Sequence, residues 1–338
     1  MSFGFLPAAS FFVAESYDAL RRSGLGAHHF LESNAQRIRQ ARARLKLLDS
    51  SGFDEAQRQL ANVEEASHRM FNSGHRGVLA SLKKWLQDDL GLYFIGPDLV
   101  STTHVALLNF TYHEQDLRVF DHRSLGKLGR EIHLFSRDLG SFIGEIAAAF
   151  NEPLKLPDVP PLGLVISAED HKARIAYDRL AARLQTGGSP MAALFTWLAS
   201  QTNFVHGGLR AVLGPESDFF FRIRFLTVFH LLHALQKIGA VLRGNRGSAL
   251  GAIAAELQAR EGARWIRRQD RLRNAMAHYD GASIAGMNGS PLNLLIATLS
   301  GSERTALSVQ LDDELEAACV CFRRVLEKGS LGRREVSR

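Results

Sequence analysis

The chain has 338 residues, of which 46% are hydrophobic and 22% are charged, so its composition is that of a folded globular protein and excludes a largely disordered one. The length allows two domains, or one large domain with a substantial core. The formal net charge of +6 fits a polyanionic partner, although many proteins without such a partner carry a similar excess.

The N-terminal segment and the cysteines bear on compartment and cofactors. The first 16 residues are apolar, but no basic residue precedes their hydrophobic run, so they make a poor secretory signal. No stretch approaches the ~20 apolar residues that span a membrane. The only cysteines, Cys319 and Cys321, point to different faces of a predicted helix, which disfavours a disulfide or a zinc site. We expect a cytoplasmic protein without a metal or another cofactor.

Helical periodicity dominates the first 150 residues. Apolar residues recur at helical spacing among good helix formers, and several of these segments open with acidic residues or serine. The predicted helices cover 28–48, 54–70, 76–90, 102–120 and 126–150. This part of the chain is expected to be an all-helical region, and its role is left open.

A change of composition then predicts a linker over 151–167, which holds four of the nine prolines. Its end, 162–167, is compatible with a short strand. Further helices are predicted over 169–185, 190–212, 217–243, 262–279 and 312–328. A small irregular segment or hairpin is expected within 282–310, and a disordered tail over 331–338. The predicted fold is all-α, with an N-terminal helical region (1–150) and a C-terminal helical bundle (168–330).

The residues with the clearest chemical meaning are Arg273, Asn274 and His278, which we call the motif. They end the helix predicted over 262–279 in the order Arg-Asn-x-x-x-His. The histidine can move a proton near neutral pH, and the arginine can hold a phosphate and stabilise negative charge in a transition state. On a regular helix, Asn274 and His278 share a face, whereas Arg273 and His278 are about 140° apart. The set indicates metal-independent phosphodiester chemistry.

The same letters also have a purely structural interpretation. Arginine followed by histidine at this spacing arises by chance in a chain with 13 histidines, and a histidine at a helix end often only interacts with the helix dipole. The position at a helix end, the asparagine and the following Tyr-Asp-Gly favour the functional interpretation.

Basic residues upstream of the motif are predicted to bind RNA. They recur at spacings of three, four and seven and form one predicted helical stripe, with Trp265 close by: Arg264, Arg267, Arg268 and Arg271. Such a stripe can follow a phosphate backbone while the aromatic ring stacks on a base. The alternative is a solvated arginine face. A second basic run over 37–46 has no aromatic residue among its arginines and is predicted to be an ordinary exposed surface.

The motif and its helices resemble the HEPN superfamily, which includes many ribonucleases of prokaryotic toxin–antitoxin, phage-defence and CRISPR systems. The HEPN motif is an arginine followed after four to six residues by a histidine, commonly with a polar residue after the arginine, and the motif of this chain fits it. By helix order the resemblance extends over 190–330. Residues 1–150 suggest no family.

The resemblance implies RNA cleavage by the substrate's own 2′-hydroxyl, leaving 2′,3′-cyclic phosphate and 5′-hydroxyl ends. His278 would act as general base or acid, Arg273 would stabilise the transition state, and Asn274 would orient the histidine or bind phosphate. DNA would not be cut, because it lacks the 2′-hydroxyl. A homodimer would build one composite cleft from two motifs. A nucleotidyltransferase antitoxin would modify Tyr279, although related toxins carry that tyrosine one position further on.

Two functions stay open at this point. The first is an active ribonuclease, a toxin or a defence effector, in which residues 1–150 sense a trigger, hold the enzyme inactive or bind an antitoxin or defence-complex partner. The second is a catalytically silent helical protein for RNA binding, dimerisation or scaffolding, since some HEPN-like domains keep only the fold. The three groups of the motif favour the first, because a scaffold does not need them together.

Other histidines are weaker candidates. The segment from Arg69 to His75 matches the motif in letters, but Asn-Ser-Gly is expected to break the helix before the histidine. His230 and His233 lie one turn apart on a very apolar helix without a carboxylate or cysteine at ligand spacing, so core or interface positions are expected. The remaining histidines show no ligand pattern. The glycine-rich segment 281–290 is expected to be a mobile loop beside the motif.

Overall fold

The computed structural model describes residues 29–47, 53–72, 87–110, 121, 124–149, 166–214, 217–245, 247–278 and 291–326, with four positions between 6 and 13. The protein is predominantly α-helical, as predicted. Its helices are α1 (His29–Leu47), α2 (Phe53–Asn72), α3 (Thr103–Phe110), α4 (Ser124–Ala149), α5 (Ala173–Leu184), α6 (Ser189–Asn203), α7 (Asp218–Val241), α8 (Ala249–Ala259), α9 (Glu261–Arg267), α10 (Asp270–His278), α11 (Pro291–Ser300) and α12 (Arg304–Arg323).

A small antiparallel sheet was not part of the predicted all-α fold, apart from the short strand considered over 162–167. Its strands are β1 (Leu90–Ile95), β2 (Asp98–Thr102) and β3 (Ile166–His171), in the order β2-β1-β3. Gly96 turns the chain between β1 and β2 with a positive φ of 57°, a conformation that favours glycine. β3 pairs along the whole of β1, so the sheet joins residues on both sides of the predicted linker.

Several predicted boundaries were wrong near these strands. The helix predicted over 76–90 does not extend through 87–90, because 87–89 are irregular and Leu90 begins β1. The strand considered over 162–167 overlaps β3 at its last two residues, since 162–165 lie outside the described ranges, and the following helix begins at Ala173 and not at 169. In both places the pairing partner is distant in sequence, so local periodicity does not report it.

The C-terminal part also differs from the prediction. Pro291–Ser300 is helical and not a hairpin, because proline at the first helical position is preorganised for a helix. The final helix begins at Arg304 and not at 312, since Leu307, Leu311 and Leu315 bury one continuous face. The segment 279–290, most of the predicted linker and the predicted disordered tail lie outside the described residues.

The core is centred on α6 and α7. Every side chain from Met191 to Asn203 on α6 is buried. The α7 segment extended to Gly244 is long and apolar enough to cross a membrane, but 67% of its most apolar window is buried inside the structure, which identifies α7 as a core helix. α6 continues into a π-helix, Phe204–Leu209. The free cysteines Cys319 and Cys321 are buried on α12.

Two arginines of the second basic run are not on the exposed surface that its composition predicted, whereas Arg39 is exposed as expected. Arg37 and Arg44 on α1 are each only 7% exposed. The Arg37 guanidinium lies 3.8 Å from the centroid of the Phe110 ring, and its Nε donates to the Phe110 carbonyl at 3.0 Å. Arginine can pack its planar charge against aromatic rings inside a fold, and this burial is invisible to charge patterning.

Candidate functional site

The motif lies on α10, a short helix with one face in the core. Leu272, Ala275 and Met276 are buried at helical spacing, while Arg273 is half-buried and Asn274 is exposed. His278 is the last residue of α10, and its side chain lies outside the described part of the structure. Tyr279 also lies outside it. Ala277, one turn after Arg273, is also buried, so Asn274 faces solvent while Arg273 lies at the border between the core and the surface.

The single helix predicted over 262–279 is two helices, α9 and α10. The amides of Arg268 and Gln269 donate to the carbonyls three residues earlier, which tightens and ends α9, and α10 starts again at Asp270. The sequence is rich in helix formers throughout, so propensity gave no sign of the break. Because the break separates the predicted stripe into two parts, its four arginines do not lie on one continuous helix.

The arginines of that stripe differ in their surroundings. Arg264, Arg268 and Arg271 are exposed. Arg267 is half-buried and donates to the side-chain oxygen of Gln258 on α8. Arg268 follows the last residue of α9, three positions after Trp265, whereas Arg267 bonds to the neighbouring helix α8. Three of the four arginines are thus exposed to solvent, and Arg267 contributes to packing.

Arg273 is held from two directions. Its Nη1 donates to Asn274 Oδ1 at 2.9 Å, and its guanidinium carbon lies 5.4 Å from the centroid of the Phe229 ring on α7. Phe229 is 1% exposed, so the arginine rests on a fixed part of the core. Arg273 is the described partner of the Asn274 side chain, so the asparagine helps to hold the guanidinium in place. A guanidinium fixed in this way is preorganised for an oxyanion.

A buried arginine fixes the end of α10. Arg222 on α7 is 3% exposed, and its Nε and Nη2 both donate to the carbonyl of Met276, with an Nε–O distance of 3.2 Å. A cation is favourable beside the carbonyls at the C-terminal end of a helix. Met276 is two residues before His278, so this bond fixes the backbone from which the histidine projects.

Sequence patterns missed Arg222 and Phe229 as parts of the site. The available signal was an arginine inside an apolar run, because a charge on a core helix has to find a partner. His230 is 1% exposed and packs edge-on against Phe229, as expected for a core histidine. His233 is half-buried, with its ring centroid 4.4 Å from that of Phe229. Arg273 and His233 therefore lie against the same phenylalanine.

Known proteins add no assignment to this geometry. No family model, curated protein or solved structure matches the chain. The HEPN resemblance therefore depends on the motif residues and the helix order alone.

The described residues contain no cluster of side chains that would support a metal site. Within those ranges, no group of three or more His, Cys, Asp or Glu side chains is arranged to hold a metal ion.

The second Arg-to-His match begins at Arg69, in the last turn of α2, where Nη1 pairs with Glu65 Oε1 at 2.5 Å. α2 ends at Asn72, and residues 73–75 lie outside the described ranges.

Proposed function

We propose that this protein is a metal-independent endoribonuclease of the HEPN type, with Arg273, Asn274 and His278 as its site. The observation that carries the proposal is the fixed guanidinium of Arg273, bonded to Asn274 and resting on Phe229. It belongs to a helix that ends at His278. A preorganised cation near a group that transfers protons is what this cleavage requires.

In the proposed step, the 2′-oxygen of the RNA bonds to the adjacent phosphorus while the P–O5′ bond breaks. His278 removes the proton of the 2′-hydroxyl or delivers a proton to the departing 5′-oxygen, and Arg273 stabilises the charge on the phosphorane-like transition state. The products are a 2′,3′-cyclic phosphate and a 5′-hydroxyl, without an oxidant or a co-reactant. A homodimer would bring a second motif to the same cleft and supply the other proton transfer.

The exposed arginines support RNA as the substrate. Arg264, Arg268 and Arg271 are available to phosphates. Neutralising several phosphates gives an affinity that falls steeply with salt. Arg267 belongs to the same proposed surface, although its guanidinium also bonds to Gln258.

The proposed biological setting is a cytoplasmic toxin or a phage-defence or CRISPR-associated effector. Residues 1–150 would then sense a trigger, restrain the enzyme or bind an antitoxin or defence-complex partner. Tyr279, next to the motif histidine, would be the target if a nucleotidyltransferase antitoxin controls the protein.

A second candidate function is a catalytically silent RNA-binding or dimerisation protein. The exposed arginines of α9 and α10 favour it as much as they favour the enzyme, since they bind phosphates without chemistry. The two functions differ in the role of the Arg273–Asn274 pair, which stabilises a transition state in the enzyme and only binds phosphate in the silent protein.

The deciding experiment is cleavage of a mixed tRNA and mRNA pool in EDTA by the wild type, His278→Ala and His133→Ala. His133 is an exposed histidine on α4, so its variant controls for loss of an imidazole. Cutting that leaves cyclic phosphates and is lost only in His278→Ala supports the enzyme. Cutting that survives His278→Ala contradicts the site. RNA binding without cutting favours the silent protein.

A further inference from the structure

A groove of about 640 Å³ lies between α9 and α12, outside the motif. We call it the α9–α12 groove. Its apolar wall comprises Trp265, Ala306 and Val309, and its polar wall includes Gln310 and Asp313. Val309 is 58% exposed although it is a large aliphatic residue. The groove thus presents an aromatic ring and an uncovered apolar strip beside hydrogen-bonding groups.

At the floor of this groove, two side chains of α12 approach the backbone of Gly262 on α9 closely. A Cβ at Gly262 would lie 2.5 Å from Glu314 Oε1 and 3.0 Å from Gln310 Nε2, so only glycine fits there without displacement. Glu314 is 5% exposed, and its carboxylate pairs with Arg260 Nε at 2.7 Å. The buried charge of Glu314 is therefore already compensated.

Two exposed carboxylates of the groove remain available to a ligand, those of Glu261 and Asp313. They disfavour a phosphate inside the groove, because the one cation of the lining, Arg260, already pairs with Glu314 and leaves two carboxylates uncompensated. They favour a ligand with N–H donors. An indole face beside exposed aliphatic carbon favours a flat ring, since stacking tolerates any base.

We infer that the α9–α12 groove binds a nucleobase of the RNA and prefers guanine, an inference that rests on the proposed function. The Watson–Crick edge of guanine carries two adjacent donors, N1–H and the N2 amino group, which match the two oxygens of one carboxylate. Asp313 is the carboxylate proposed for this bond, and Trp265 is the stacking surface. Adenine and cytosine each present an acceptor where guanine presents N1–H.

Two arginines flank the stacking residue in sequence. Arg264 precedes Trp265 directly, and Arg268 follows the last residue of α9, three positions after Trp265. Both arginines are exposed. The acidic groove therefore accepts the base while the arginines at its edge hold the backbone, which fixes the register of the strand relative to the motif.

The test measures binding separately from cleavage. The probes are fluorescein-labelled 2′-O-methyl trinucleotides with guanine, adenine or cytosine between two adenines, which cannot be cut because the 2′-oxygen is blocked. The full chain is titrated by fluorescence anisotropy as wild type, Asp313→Asn, Trp265→Phe and Trp265→Ala. Asp178→Asn, an exposed carboxylate on α5, is the control for the charge change.

We expect the guanine probe to bind the wild type about 10-fold more tightly than the others. Asp313→Asn removes this preference and Asp178→Asn keeps it. Trp265→Ala weakens all three probes about 10-fold, and Trp265→Phe retains most of the affinity. Equal binding of all probes to the wild type overturns the inference, and so does an equal effect of the two Asp→Asn changes.

The same measurements separate this inference from the proposed function. A wild type that cuts RNA but binds the three probes equally retains the ribonuclease proposal and loses the guanine groove. A wild type that prefers guanine but cuts nothing, even in complete RNA pools, retains the groove as part of a silent RNA-binding protein.

Discussion

Arg222 and Met276 join the central helix of the core to the end of the helix that carries the motif. The guanidinium donates twice to one carbonyl, 54 residues further along the chain. Neither residue belongs to the motif, so neither has to contact the substrate. It nevertheless fixes the last turn of α10, so the geometry of the site depends on a residue of the core.

Replacing Arg222 by methionine tests this dependence. The Met276 carbonyl would stay buried without these two donors, so we expect the free energy of unfolding to fall by about 2 kcal/mol. Urea denaturation measures it. Arg243→Met, which removes an exposed arginine just beyond α7, is expected to change stability by less than about 0.5 kcal/mol. Equal effects of the two substitutions would refute the special role of Arg222.

Replacing Arg273 by lysine tests the fixed guanidinium. Lysine keeps the charge but loses the planar fork that bonds Asn274 and lies over Phe229. We expect the RNA cleavage rate to fall about 100-fold with the fold unchanged. Single-turnover cleavage with circular dichroism measures both. The control is Arg130→Lys on the exposed side of α4, outside the proposed RNA-binding surface, and similar rates in the two variants would show that the fork of Arg273 has no task.

The pH dependence of stability is expected to depend on a buried histidine. His104 on α3 is 1% exposed, and its Nδ1 lies 3.1 Å from the Tyr177 hydroxyl. Burial lowers the pKa of His104 to about 4, against the smaller opposing effect of Asp89. The unfolded histidine titrates near pH 6.5. The stability that the neutral, buried imidazole contributes is therefore complete above that pH and is lost as pH falls toward 4.

We therefore expect His104 to account for about 3 kcal/mol of the stability difference between pH 7 and pH 4. His104→Gln retains a side-chain partner for Tyr177 but cannot take up a proton. Urea unfolding at pH 7, 5.5 and 4.5 should give a shallower pH dependence for this variant than for the wild type. Identical dependence in both proteins would place the titrating group elsewhere.

Adding one methyl group at two glycines is expected to have opposite effects. Gly262→Ala places a carbon 2.5 Å from Glu314 Oε1 and forces this buried carboxylate away from its partner Arg260, so we expect a loss of about 1 kcal/mol. Gly140 on α4 has no atom within 4 Å of an added Cβ, so Gly140→Ala should stabilise by about 0.5–1 kcal/mol. Thermal melts measure both changes. Stabilisation by Gly262→Ala would contradict the close approach that forms the groove.

Three helices were predicted closely: α1, α2 and α7 begin and end within two residues of the predicted bounds. α2 repeats its apolar residues at helical spacing, whereas α7 is a long apolar run whose residues are buried on all sides from Phe219 to Leu232. The hairpin of β1 and β2 was missed, although Gly96-Pro97 between two apolar runs was a turn signal. Its third strand comes from residues about 70 positions later, a pairing that no local pattern encodes.

The motif could be selected from the sequence, but its contacts could not. Arg273 and Asn274 were chosen by residue type and spacing. The ring beneath Arg273 and the guanidinium that holds Met276 both come from α7, whose sequence shows only an apolar run with two arginines. The interruption between α9 and α10 was equally hidden, since arginine and glutamine form helices readily.

The central position of β1 has a consequence for how the chain can be divided. A cut between residues 150 and 166 would leave β1 with one open edge in the first fragment and β3 without a sheet in the second. An apolar strand with unpaired backbone groups recruits other strands, so the first fragment alone is expected to aggregate. Supplied together, the two fragments should capture each other through this edge and behave as a split protein whose reassembly reports folding of the whole.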